Sequence, residues 1–209
     1  MKNFSKKSTF PLFESICLLE GVVQHPHWHE KRYRESYQIF YNKPPKTSLF
    51  EQLKIPLKYQ NGRIKLRIAY NENERHWDFI PYVFRPVAHL QLVENNTIDY
   101  GLKFENRTLL EQLFRQRGAC DDILIIKNEL LTDTSYGNIA FEKKGQWFTP
   151  AAPLLNGTAR ARLIAEKKII PIPISLSNYG SFERFKMLNA LRDFDADPSY
   201  DVNNIKALR

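Results

Sequence analysis

Prolines bracket one helix in this chain and so constrain its first half. Pro26 suits the first turn of a helix, where its missing N–H costs no hydrogen bond, and Pro44-Pro45 stops continuation. The spacing predicts a helix from Pro26 to about Tyr41. Tyr33, Tyr37, Phe40 and Tyr41 follow a helical repeat and are expected to form its buried face. Ahead of it, Phe10 to Leu19 reads as a strand, Glu20-Gly21 as a turn and Val22-Val23 as a return. After it, Thr47 to Leu53 reads as a short helix capped by Thr47 or Ser48. Arg63 to Tyr70 alternates as a strand with Ile64, Leu66 and Ile68 on one face, and a polar turn from Asn71 to Arg75 leads into further strands through about Val93.

Glu94-Asn95-Asn96-Thr97 is the expected linker, dividing a small lobe (1–93) from a larger one (94–209). Beyond it, Asn106 to Arg117 reads as a helix with Leu109, Leu110, Leu113 and Phe114 inward and Gly118 as its stop. Ile123 to Ile126 is an apolar strand, Asn128-Glu129 a turn, and Thr132 to Asn138 irregular. Ile139 to Phe141 and Gln146 to Thr149 form a hairpin around Lys144-Gly145. Asn156 is expected to cap a helix from Gly157 to about Lys168. Ile169 to Ile174 and Arg184 to Leu188 read as strands, and the polar tail after Asp193 as ending in a short helix. The fold class is α+β in two lobes.

Composition narrows the function classes. No stretch approaches the roughly 20 apolar residues of a membrane span, and no apolar run follows the basic N-terminus as a secretory signal requires. Cys17 and Cys120 fit neither a disulfide framework nor a metal site, so a reducing, cytoplasmic setting is expected. The histidines His25 and His27 lack a metal-ligand pattern as well. The net charge of +8 is dispersed. Lys6-Lys7 and Lys167-Lys168 read as solvated surface, and nucleic acid is not expected as a partner. A positive balance suits an enzyme that handles anionic ligands.

Three short segments in fixed order carry the chemistry: Lys103-Phe104-Glu105-Asn106-Arg107, Asp133-Thr134-Ser135-Tyr136-Gly137-Asn138, and Leu155-Asn156-Gly157-Thr158-Ala159-Arg160. They offer an amine, a carboxylate and an anion-binding helix start. Pyridoxal phosphate needs a lysine for its aldehyde, an acid for its ring nitrogen and a cradle for its phosphate. Taken singly, Lys103 would read as a surface lysine, Asp133 as a turn aspartate and the last segment as an ordinary capped helix.

As a set, the segments resemble the class IV aminotransferase family, the fold type IV pyridoxal-phosphate enzymes, over about Phe10 to Leu191. The resemblance implies that Lys103 bonds the cofactor. It places Asp133 on the ring nitrogen, where the family usually has glutamate five residues before an asparagine; here Asn138 and Ile139-Ala140-Phe141 follow. It places Thr158 and Ala159 where the family's Gly-Ile-Thr-Arg segment lays backbone N–H groups on the phosphate, Ala159 standing in place of a threonine. Arg32, in His29-Glu30-Lys31-Arg32-Tyr33, matches the family's phosphate-binding arginine, with His29 beside it in a structural role. Asn189 and Ala190, in Met187-Leu188-Asn189-Ala190-Leu191, match a late loop with a further phosphate contact. Arg67, Arg85 and Arg107 are candidates for a substrate carboxylate, Arg107 foremost, while Phe13, Tyr82 and Tyr100 are candidate pocket walls. Only nine residues precede Phe10, and they do not match the family's first strand and Asp-Arg-Gly turn, so a shortened N-terminal lobe is expected.

Lys-x-x-Asn-Arg followed by Leu-Glu-Gln is most like the aminodeoxychorismate lyase branch. The implied activity is conversion of 4-amino-4-deoxychorismate to 4-aminobenzoate and pyruvate, for folate synthesis, by a cytoplasmic homodimer acting on a small molecule. Two other readings stay open: an aminotransferase acting on branched-chain or D-amino acids, and a degenerate binding protein without turnover.

Overall fold

The structure is a computed structural model and describes residues 9–208. The Lys6-Lys7 pair lies outside them. The chain forms two compact units. One takes the described residues through Val83 together with Leu102–Asn106, and the other takes Phe84–Gly101 and the chain from Arg107 onward. The division falls ahead of the expected linker because the strand Leu90–Glu94 is hydrogen-bonded to Asp122–Lys127 and so belongs to the second unit.

In the first unit, β1 (Leu12–Leu19), β2 (Val22–Val23), β3 (Arg63–Tyr70) and β4 (Arg75–Pro81) make an antiparallel sheet in the order β2-β1-β3-β4. Helix α1 (Pro26–Tyr41) packs on it. Side chains alternate along a strand, so Leu12, Ile16 and Leu18 of β1 and Ile64, Leu66 and Ile68 of β3 share one core with Tyr33 and Tyr37 of α1. Ile16 and Leu66 lie opposite each other, both fully buried. Phe40, expected inward, is 37% exposed. The buried stripe is His29, Arg32, Tyr33, Ser36 and Tyr37, a regular helical spacing that polar residues disguise in the sequence. Thr47 to Leu53 forms turns instead of a helix. The Glu30 carboxylate accepts hydrogen bonds from the Leu49 N–H and the Ser48 hydroxyl and draws that segment onto α1.

The second unit holds two sheets. One has the order β13-β5-β6-β7, with β5 (Leu90–Glu94) parallel to both β13 (Ile205–Lys206) and β6 (Asp122–Lys127), and β7 (Leu130–Thr134) antiparallel to β6. The other has the order β10-β9-β8-β11-β12, from β8 (Asn138–Lys143), β9 (Gln146–Pro150), β10 (Ile169–Ile172), β11 (Arg184–Leu188) and β12 (Tyr200–Asp201). Leu124, Ile126, Leu131, Ile139, Phe141 and Phe185 lie in one core, while Ala140, on the other side of β8, packs with Leu163 of α3 (Thr158–Ala165). The helix α2 (Thr108–Phe114) buries Leu110 and Leu113 but leaves Leu109 38% exposed, because only one side of so short a helix meets the sheet.

Three further expectations need correction. Thr132 to Thr134 belongs to β7 and is not irregular; these residues are polar yet buried, so no apolar alternation marks the strand. Helix α3 begins at Thr158, with Gly157 and not Asn156 at the N-cap position. The tail ends in a single 3-10 turn, Val202–Asn204, that Asp201 caps, and then in β13. No helix among the described residues is long and apolar enough to cross a membrane. Leu66→Ala should lower the stability of the first unit by about 2–5 kcal/mol, read as a lower urea midpoint; an unchanged midpoint would contradict this core.

Candidate active site

In the second unit the proposed cofactor acid is a strand residue, buried by its own sheet. Asp133 is 4% exposed. Its Oδ1 accepts from Asn138 Nδ2 at 2.8 Å and its Oδ2 from the Leu155 N–H at 2.9 Å. Burial pushes its pKa up to about 7, against those two donors and the charge of Arg160. No salt bridge reaches Asp133 among the described residues. Arg160 acts on it through space; its guanidinium is tied to the Pro150 carbonyl at 2.8 Å and to Thr149 Oγ1 at 3.4 Å.

Asn138 joins the acid to the helix. Its Nδ2 also donates to the Leu155 carbonyl at 2.9 Å, and its Oδ1 occupies the space a Cβ at Gly157 would need, 1.9 Å away. A side chain at 157 therefore cannot enter without displacing Asn138. Glycine also leaves α3 with no side-chain cap. Thr158 and Ala159 are buried in its first turn, where N–H groups have no intrahelical partner. The 189–190 loop arrives at the same place: Asn138 lies opposite Leu188 in the sheet, and a Cβ at Gly137 would fall 2.4 Å from the Leu188 carbonyl. Asn189 Oδ1 accepts the Leu191 N–H at 2.9 Å and turns the chain there. Asn138 thus meets Asp133, Gly157 just ahead of Thr158, and Leu188 just ahead of Asn189.

Lys103 and Arg32 fall in the first unit and meet successive residues of β1. Lys103 Nζ sits 4.7 Å from the Phe13 ring centroid, and the Lys103 carbonyl accepts the Phe13 N–H. Arg32 is held by Glu14, with Nε 2.7 Å from Oε1 and Nη2 2.5 Å from Oε2, and His29 Nδ1 lies 2.8 Å from the same Oε2. Arg32 is no solvated helix charge; it lies within a buried ion pair. Burial alone would raise the Glu14 carboxyl, but the Arg32 charge and the hydrogen bonds from His29 and Arg32 hold it down to about 2. The same burial lowers His29, which Glu14 partly offsets.

The carboxylate-binding candidates differ in their surroundings. Arg107 Nη2 donates to the Ser135 carbonyl at 2.5 Å, and its guanidinium covers the Tyr136 ring at 4.6 Å, so it braces the loop that follows Asp133. Arg67 lies over Phe13 at 4.9 Å and pairs with Asp78 and Glu105. Arg85 is exposed. Three residues of this arrangement escape a motif reading: Glu14, Asn138 as a contact and not only a spacing mark, and Arg160. Glu14 had a signal, a lone carboxylate within the apolar stripe of β1. Gly157→Ala should cost about 1–3 kcal/mol from overpacking, measured by thermal melting, and adding Asn138→Ala should recover part of it. Equal melting of Gly157→Ala and the unmodified protein would refute the contact.

The family model for amino-transferase class IV matches residues 100–194, a span that includes Lys103, Asp133 and the start of α3. An uncharacterized protein of Haemophilus influenzae is 38% identical over 184 residues, 87% of this chain and 98% of its own. A crystal structure from Haemophilus somnus 129PT, provisionally assigned as a 4-amino-4-deoxychorismate lyase, superposes with a TM-score of 0.78 at 34% identity, covering 89% of this chain and 98% of that one. An aminotransferase from Brucella abortus, solved with pyridoxal phosphate bound, shares the fold at a TM-score of 0.67 and 13% identity, over 91% of this chain and 84% of that one. With its α+β architecture of fold type IV and this degree of identity to its relatives, the chain belongs to the class IV aminotransferase family.

Proposed function

We propose that this protein is a pyridoxal-phosphate-dependent lyase that converts 4-amino-4-deoxychorismate to 4-aminobenzoate and pyruvate, as a cytoplasmic homodimer serving folate synthesis. The observation that carries the cofactor assignment is Asp133. A buried carboxylate without a salt bridge, its pKa raised to about 7 by desolvation, is costly unless a cationic partner arrives. A protonated pyridine nitrogen is such a partner. The buried, uncapped start of α3 asks for an anion in the same way, and a phosphate suits it. The lyase assignment leans on the Haemophilus somnus relative.

Pyridoxal phosphate, when bound, supplies an aldehyde that takes up amines and a ring that draws electrons from the carbon next to the nitrogen. The chain's residues do the rest. Lys103 would hold the cofactor through its amine, and the same amine would serve as the acid/base that moves the proton at the ring carbon bearing the substrate nitrogen. Asp133 would keep a proton on the pyridine nitrogen. Asn138 and the Leu155 N–H orient Asp133. Arg32, the Thr158 and Ala159 N–H groups and the Asn189–Ala190 loop are the groups that would hold the phosphate. Arg107 steadies the loop between Asp133 and Asn138. Loss of pyruvate leaves an aromatic ring, and this makes the step irreversible in practice.

The purified protein with pyridoxal phosphate should release pyruvate from aminodeoxychorismate with no keto acid present, followed by a coupled lactate dehydrogenase assay. Strict dependence on a keto acid acceptor would overturn the lyase and indicate an aminotransferase, and Lys103→Ala should abolish turnover. Asp133 also sets a pH trend in the cofactor-free protein. Its pKa is raised on folding, so it costs nothing below about pH 4, and the cost grows to roughly 4 kcal/mol as pH rises through about 7. Cofactor-free Asp133→Asn should therefore gain in melting temperature relative to the unmodified protein between about pH 4 and 7 and hold level above. A difference that does not vary with pH would contradict the assignment.

A further inference from the structure

We propose that Lys186 is a positioning residue for the cofactor phosphate, acting through the chain segment 189–197. This rests on the reading of the 189–190 loop as a phosphate contact, and all the residues involved belong to the second unit. Lys186 lies in β11 opposite Ala140 of β8, as Leu188 lies opposite Asn138. Alternate residues of a strand share a face, so Lys186 and Leu188 stand on the face that carries Ala140 and Asn138. Ala140 and Leu188 pack there with Leu163 of α3. Lys186 is buried in that layer, and burial lowers its pKa, which the charges of Asp197, Asp195 and Glu142 partly offset. A methionine would fill the same space without the desolvation cost, so what this position uses is the set of three N–H donors on the ammonium.

Those donors go to the backbone that follows β11. Lys186 Nζ donates to the Phe194 carbonyl at 2.7 Å and to the Asp197 carbonyl at 3.0 Å. It also lies 5.0 Å from the Trp147 ring centroid and 4.9 Å from that of Phe194, two rings that meet edge to face at 5.6 Å. Phe194 packs against the same cluster as Leu163 and Leu188. The chain therefore leaves the sheet at Leu188 and is caught again on the same face at Phe194. Between these points Asn189 makes the turn: its Oδ1 accepts the Leu191 N–H at 2.9 Å, and its carbonyl accepts the Arg192 N–H at 3.2 Å. Both ends of the turn are thus fixed to the layer on which α3 packs. A loop fixed at both ends has less freedom to lose when an anion binds. A plain anchor for the chain after β11 would use the same contacts, and the two roles part company on the phosphate.

Pyridoxal lacks the phosphate and separates them. The full-length protein, stripped of cofactor, is titrated with pyridoxal phosphate and with pyridoxal, following absorbance. Lys186→Met keeps an unbranched side chain and removes the donors. It should weaken pyridoxal phosphate roughly tenfold, the scale on which supporting contacts tune a bound group, and leave pyridoxal unchanged. In an Asn189→Ala background, where the turn is already loosened, Lys186→Met should add less than its own effect. Equal loss for both ligands, loss for neither, or full additivity with Asn189→Ala would overturn the proposal. If Lys186→Met does not fold, Phe194→Leu serves, since it removes one ring from the lysine's seat and keeps the core apolar. The same phosphate-selective loss is expected there, and its absence would equally overturn the idea. An unmodified protein that binds both ligands equally would instead defeat the reading of the phosphate site, and one that binds neither would defeat the cofactor assignment itself.

Discussion

Everything proposed for the second unit hangs on one close contact, the amide of Asn138 against the bare backbone of Gly157. The Asn138 side chain reaches the acid, the Leu155 carbonyl and the helix start at once, and it can do so only because position 157 has no side chain. A second close approach, Gly137 on the Leu188 carbonyl, brings the 189–190 loop to the same spot. Gly157 thus sets the spacing between an acid and a helix start, and Gly137 the approach of the 189–190 loop. Neither has a positive φ, so both are there for closeness and not for turn geometry.

The first unit solves a different problem, how to keep cations inside a small sheet-and-helix layer. Phe13 offers Lys103 and Arg67 a ring face, while Glu14 neutralises Arg32. The work is divided between adjacent residues of one strand, whose side chains leave the sheet on opposite faces. A single strand can therefore serve both an aromatic platform and an ion pair without the two competing for space.

Much of this was legible in the sequence, for identifiable reasons. The bounds of α1 were written by Pro26 and the prolines after it, and β3 by its strict alternation. The hairpin of β8 and β9 followed from Lys144-Gly145, both at positive φ. What sequence could not give was the state of polar residues. Thr132, Asp133 and Thr134 read as a turn because their polarity suggests solvent, yet their hydroxyls and carboxylate are satisfied inside the sheet. His29, Arg32 and Ser36 were passed over as the inward face of α1 for the same reason, and Phe40 was placed there instead. Of the candidate site, the lysine, the acid and the helix start were named from their order along the chain; Glu14 was not, because its contacts are with partners fifteen and eighteen residues away.

The pairing of β13 with β5 has a consequence for how the chain comes to be folded. Ile205 lies beside Leu90, and Gln91 reaches the carbonyl of Ala207. One edge of this sheet therefore waits for residues made more than a hundred positions later. Until Ile205 and Lys206 are in place that edge of β5 is unpaired, and unpaired apolar strands are what chaperones and neighbouring chains bind. β6 and β7 can close early, since a short turn joins them. The pairing of Ile205 and Lys206 with Leu90 and Gln91 is what covers that edge.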